Sequence, residues 1–89
     1  MDANNKIDEV RKKIDQIDEK IIKLILNRIS FSKEIGKIKN NSSINIFDKN
    51  RENYIVKRLF AKINGQLKKS DIEIIFSSIF NVSKKIQKK

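Results

Sequence analysis

Four arginines stand among 17 lysines in this 89-residue chain, and three of the four sit on or beside apolar helical stripes. Ile7, Ile14 and Ile21 repeat every seven residues, Arg28 takes the next place in that class, and Ile35 restores it. A guanidinium in a seam position needs a carboxylate or an anionic ligand, because burying it alone costs several kcal/mol. Arg11 and Lys39 share a neighbouring class of the same heptad and flank the same seam. Arg51 lies beside a second apolar stripe, whereas Arg58 looks generic. A planar fork in such places suits bidentate recognition of carboxylate or phosphate. Asp48 and Glu52 flank Arg51, and Ser83 and Gln87 lie four apart in line with Phe76 and Phe80, so that ridge turns from apolar to polar. Each of these residues also has an ordinary reading. Arg11 can pair with Asp15 or Asp18 on its own helix, and Arg51 with Glu52 or a neighbouring helix. Asp48 can be a helix cap, and the polar end of the ridge a frayed terminus.

Whatever chemistry these groups perform is constrained by what the chain lacks. It contains no Cys and no His, which removes the usual thiol and imidazole nucleophiles, disulfides and zinc sites, so no metal and no cofactor is expected. No side chain titrates near neutrality without perturbation. The net charge of +10 invites a nucleic-acid or anionic-membrane partner. Lys, Ile and Asn make up half of the chain, however, and the lysines are scattered except for Lys84, Lys85, Lys88 and Lys89 near the end. A solvated helical surface with a basic tail accounts for the charge, so neither nucleic acid nor membrane is the expected partner. The first residues, MDANNKIDEV, are acidic and polar, and apolar runs do not exceed three residues; the expected location is the cytoplasm.

The elements that must position the candidate residues are three helices without a strand. Ile7, Val10, Ile14, Ile17, Ile21 and Leu24 step by three and four, and Phe31, Ile35 and Ile38 resume the stripe. This predicts a first helix over about 5–39, ending at the polar break Asn40 to Ser43. A second, over 49–64, carries Ile55, Val56, Leu59, Phe60 and Ile63 and stops at Asn64 and Gly65. A third, over 71–87, starts at a Ser70 to Glu73 capping box and carries Ile72, Ile75, Ile79, Val82 and Ile86. The 18 isoleucines favour strands intrinsically, but their spacing is helical. The whole of 1–89 reads as one all-α domain. A helix of about 35 residues is ~50 Å long, whereas a globule of this size is ~30 Å across. An apolar stripe that outruns its own domain calls for a second copy of the chain, giving a homodimeric intertwined bundle.

Taken together, Arg11, Arg28, Lys39, Asp48, Arg51, Glu52, Ser83 and Gln87 resemble the active-site set of the all-helical chorismate mutases. The segments IDEVRKKIDQIDEKIIKLILNRISFSKEIGKIK and FDKNRENYIVKRL are similar to that family's first helix and second-helix start, and IFNVSKKIQ to its closing segment. The resemblance implies a pericyclic rearrangement of chorismate, a dianion, to prephenate, on the route to phenylalanine and tyrosine. Such a reaction needs no nucleophile and no proton transfer. It needs cationic clamps for the reactive conformer and donors where charge grows on the breaking ether oxygen. By resemblance, Arg11 would be supplied to the partner's site, and Arg28 and Ser83 would serve substrate carboxylates. Lys39 and Gln87 would face the ether oxygen, Glu52 with the Asp48 region would hold the ring hydroxyl, and Arg51 would lie on the carboxylate side. Lys39, Gln87, Arg28 and Glu52 are thus the expected catalytic residues.

Three alternatives stand beside this reading. An isochorismate pyruvate lyase shares the fold, although Glu52 in the ring-hydroxyl position favours chorismate. A basic helical nucleic-acid-binding dimer would explain the charge but predicts exposed arginines and aromatics. A purely structural coiled coil gives no reason for Arg28 in a seam position.

Overall fold

The computed structural model describes residues 2–88. It contains α1 (Ala3–Asn41), α2 (Lys49–Lys62) and α3 (Lys69–Gln87), and among the described residues there is no strand. The fold is all-α, as the 3.6-residue periodicity requires. By internal contacts the chain divides into two units, one running to Ser30 and one starting at Phe31, so α1 contributes to both.

The first unit is the N-terminal part of α1. Asp2 caps it, its Oδ1 accepting from the Asn5 amide at 2.8 Å. Its apolar stripe is intact as a pattern but uncovered. Ile7, Val10, Ile14, Ile17, Ile21 and Leu24 are all close to half exposed or more. Single exposed apolar residues are ordinary, but a continuous row of six is not.

The second unit holds the end of α1 with α2 and α3. Its core is Ile55 and Val56 from α2 against Ile72 and Phe80 from α3, flanked by Leu59, Ile63 and Phe76. The Phe76 and Phe80 rings lie 5.9 Å apart in a tilted arrangement, a favourable geometry for an aromatic pair. The buried ridge of α3 is therefore Ile72, Phe76 and Phe80, and it continues into buried Ser83 and half-buried Gln87. Ile75 and Val82, expected on the apolar face, are exposed instead. With several isoleucines on more than one side of α3, periodicity alone could not select the side that packs on α2.

The ends of the helices differ from expectation in instructive ways. Helix α1 begins two residues earlier and ends two later than 5–39, and α2 ends at Lys62 rather than Asn64. Asn64 and Gly65 still terminate it, with φ of 52° and 76°, a left-handed turn that no helix can continue. The Ser70 to Glu73 capping box does not form. The α3 N-cap is Lys68, with no side-chain cap, and the Asp71 and Ile72 amides already bond the Lys68 carbonyl. The first turn opens at Lys68 and already encloses Ser70, which leaves Ser70 inside the helix instead of at the cap position that a capping box requires. Among the described residues no helix is long and apolar enough to cross a membrane.

Candidate active site

Six of the eight residues singled out by sequence lie in the second unit, where α1 ends, α2 begins and α3 ends. Arg11 and Arg28 lie in the first unit, Arg11 exposed and Arg28 half-buried. Arg28 is thus partly withdrawn from water, as its heptad position requires, without reaching the full burial of a seam residue.

The C-terminal end of α3 docks on the end of α1 through small and polar residues. Ser32, Gly36 and Asn40 are spaced at four, one helical face of α1. Buried Ser32 and buried Ser83 share a hydrogen bond between their hydroxyls. Gly36 meets the Gln87 backbone so closely that a Cβ there would stand 2.8 Å from Gln87 Cα. Asn40 Nδ2 donates to the Gln87 carbonyl at 3.2 Å. Three consecutive contacts therefore fix Ser83 and Gln87, one turn apart, against α1. The Gln87 Oε1 atom is buried with no hydrogen-bond partner among the described residues. A buried polar atom left unpaired costs about 1–3 kcal/mol, so it marks either stored strain or a place for a ligand.

The loop between α1 and α2 is pinned at the same end. Half-buried Lys39 donates from Nζ to the Ile46 carbonyl at 3.2 Å. The neighbouring Phe47 ring lies under the Lys84 ammonium, 4.7 Å from its centroid. Lys84 in turn stands 3.3 Å from Glu52 Oε2, with side-chain exposures of 27% and 16% for the two partners. Asp48 caps α2, its Oδ1 accepting from the Arg51 amide at 2.9 Å. Its ordinary reading as a cap therefore holds, whatever else it does. The Arg51 guanidinium lies 5.3 Å from the Tyr54 ring centroid, exposed and stacked rather than buried. Glu52, one of the two ordinary partners open to Arg51, is instead in contact with Lys84.

Ser32, Gly36, Asn40 and Lys84 were not among the residues singled out from sequence. A face of Ser, Gly and Asn looks like a solvated face until a second helix is laid on it, and Lys84 is hidden in a basic tail. The one available signal was the four-residue spacing of small residues in line with Gly36, which permits close backbone approach. An open groove of about 570 Å³ between α2 and α3 is lined by Glu52, Val56, Lys57, Glu73 and Phe80 among others, and shares only Glu52 with the predicted set. Among the described residues no group of acidic, His or Cys side chains is placed to hold a metal ion. What this geometry offers is a patch of cations and neutral donors around two carboxylates, Asp48 at the α2 cap and Glu52 beside Lys84. That patch can bind and orient an anion but has no nucleophile of the thiol or imidazole type.

The chain has relatives in both sequence and structure. It is 42% identical over 84 residues to a chorismate mutase of Methanocaldococcus jannaschii, covering 93% of this chain and 85% of that protein. A conserved hypothetical protein from Pyrococcus furiosus has a solved structure that superposes with a TM-score of 0.74 at 32% identity, over 98% of this chain and 99% of that one. Residues 10–88 match the family described as chorismate mutase type II, a span that takes in all eight candidate residues, and the chain belongs to that family.

Proposed function

We propose that the chain converts chorismate to prephenate by holding the dianion in its compact reactive conformer. The observation that carries this reading is the buried, unpartnered end of the Gln87 carboxamide, fixed beside Ser83 in a site that contains neither His nor Cys. Rotation of that carboxamide presents its N–H2 group in the same space, as a donor to the ether oxygen on which charge grows. The bond between the ether oxygen and the ring breaks as the carbon–carbon bond forms, within one molecule. No proton, electron or cofactor is exchanged.

In this reading Lys39 and Gln87 serve the ether oxygen, Arg28 and Ser83 the carboxylates, and Arg51 adds charge on the carboxylate side. Glu52, with Asp48 shaping the start of α2, accepts the ring hydroxyl. Arg11 is supplied to the site of a second copy of the chain. The uncovered row from Ile7 to Leu24 supports a homodimer, because a second copy is the simplest cover for an apolar stripe of that length. The resulting unit is one catalytic domain acting in the cytoplasm on a small molecule. Incubating the purified protein with chorismate and identifying the product by NMR tests the reading. Prephenate is the expected product. Release of pyruvate in a parallel incubation with isochorismate, with chorismate left untouched in the first, would assign the site to lyase chemistry instead.

A further inference from the structure

Lys84 takes no part in the set that the family resemblance supplies, yet its ammonium stands where that set needs a countercharge. Glu52 has a side chain only 16% exposed, and a carboxylate so withdrawn from water needs a cation or several donors. Lys84 Nζ lies 3.3 Å from Oε2 of that carboxylate and 4.7 Å from the Phe47 ring centroid. The α2 carboxylate and the aromatic ring of the preceding loop thus hold one ammonium between them. Its own backbone is fixed as well, since Lys84 directly follows Ser83, whose hydroxyl is buried against Ser32. An exposed pair on mobile stems contributes little, but this one is partly buried and held from three elements.

We propose that Lys84 is a positioning residue: its ammonium holds Oε2 of Glu52, which leaves Oε1 to accept the substrate's ring hydroxyl and cancels a negative charge where a dianion must enter. The inference rests on the reading of Glu52 given above. It makes Lys84 act through Glu52 and not through contact with substrate, which a double-mutant cycle separates.

The test measures kcat and KM for chorismate with the parent protein, Lys84→Met, Glu52→Gln and the double variant. Lys84→Met should lower kcat/KM about tenfold, mostly through KM, and Lys84→Arg should recover at least about half of the loss. In the Glu52→Gln background the same Lys84→Met change should cost less than about twofold, because the charge to be held is gone. A Lys84→Met protein as active as the parent would overturn the proposal. So would an undiminished loss in the Glu52→Gln background, which would put Lys84 on the substrate itself. Lys84→Gln provides the same comparison if Lys84→Met does not fold. A parent protein that leaves chorismate unchanged would overturn the chorismate reading, whereas an active parent with an additive cycle would overturn only the role of Lys84.

Discussion

Replacing Gly36 by Ala puts a methyl carbon 2.8 Å from Gln87 Cα, 3.0 Å from its carbonyl oxygen and 3.2 Å from its Cβ. The first two atoms are backbone, so no rotamer change relieves the overlap. The end of α3 must retreat until the closest contact reaches the ordinary range near 3.4 Å, a shift of about 0.6 Å. Overpacking of this kind costs about 1–3 kcal/mol, and the better helix propensity of Ala returns about 1 kcal/mol. Stability should therefore fall by no more than about 2 kcal/mol. Activity should fall much further. Gln87 and Ser83 ride on the displaced turn, and misplacement approaching 1 Å in a positioning site can cost ~100-fold, so a loss of about 10- to 100-fold in kcat is expected. The assay is chorismate turnover beside a thermal melt. Gly65→Ala is the control: Gly65 has φ of 76° and open space around it, so that variant should lose about 1 kcal/mol of stability and no activity. A Gly36→Ala protein with parental kcat would refute the claim that this contact sets the position of Gln87.

Three further outcomes follow from the proposed roles. Arg28→Ala should lower kcat/KM by about 100- to 1,000-fold and Arg28→Lys should remain poor, since a point charge does not replace a planar fork; steady-state kinetics of the two variants decide it. Asp48→Ala should destabilise the protein by about 1 kcal/mol through loss of the α2 cap, while Asp48→Asn, an equally good cap, should melt within a few tenths of a kcal/mol of the parent. Gln87→Glu should gain activity as pH falls, because the ionised carboxylate only accepts hydrogen bonds and repels the growing charge, whereas the protonated form donates. A free Glu ionises near ~4.3, so a variant profile parallel to the parent's from about pH 5 to 8 would remove Gln87 from the ether oxygen.

How far the molecule was legible in its sequence differed from one feature to another. The three helices were legible because their apolar residues recur at three and four with no proline to interrupt them, and the Asn64–Gly65 stop because left-handed residues end helices. The start of α3 was misread. A capping-box pattern is a local preference, and the backbone closed its first turn upstream at Lys68 without using it. The face of α3 was ambiguous because Ile stands on several sides of it, and only contact with α2 selects Phe76 and Phe80. Among the site residues, Ser83 and Gln87 were visible as a ridge that turns polar. Ser32, Gly36 and Asn40 were not, since small polar residues declare a helix crossing only when the second helix is present. Lys84 was hidden by composition: among 17 lysines, nothing local distinguishes the one that meets a carboxylate.

The central claim is a cationic clamp for chorismate assembled from two copies of the chain, with Arg11 of one completing the site that holds Arg28 of the other. Mixing Arg11→Ala and Arg28→Ala proteins, each nearly inactive alone, tests it in a single activity measurement after subunit exchange has been verified by mass. At equal amounts and random pairing, about half of the dimers are mixed, and each carries one doubly lesioned site and one intact site. The mixture should therefore recover about a quarter of parental chorismate turnover. A mixture as inactive as its two components would contradict the account.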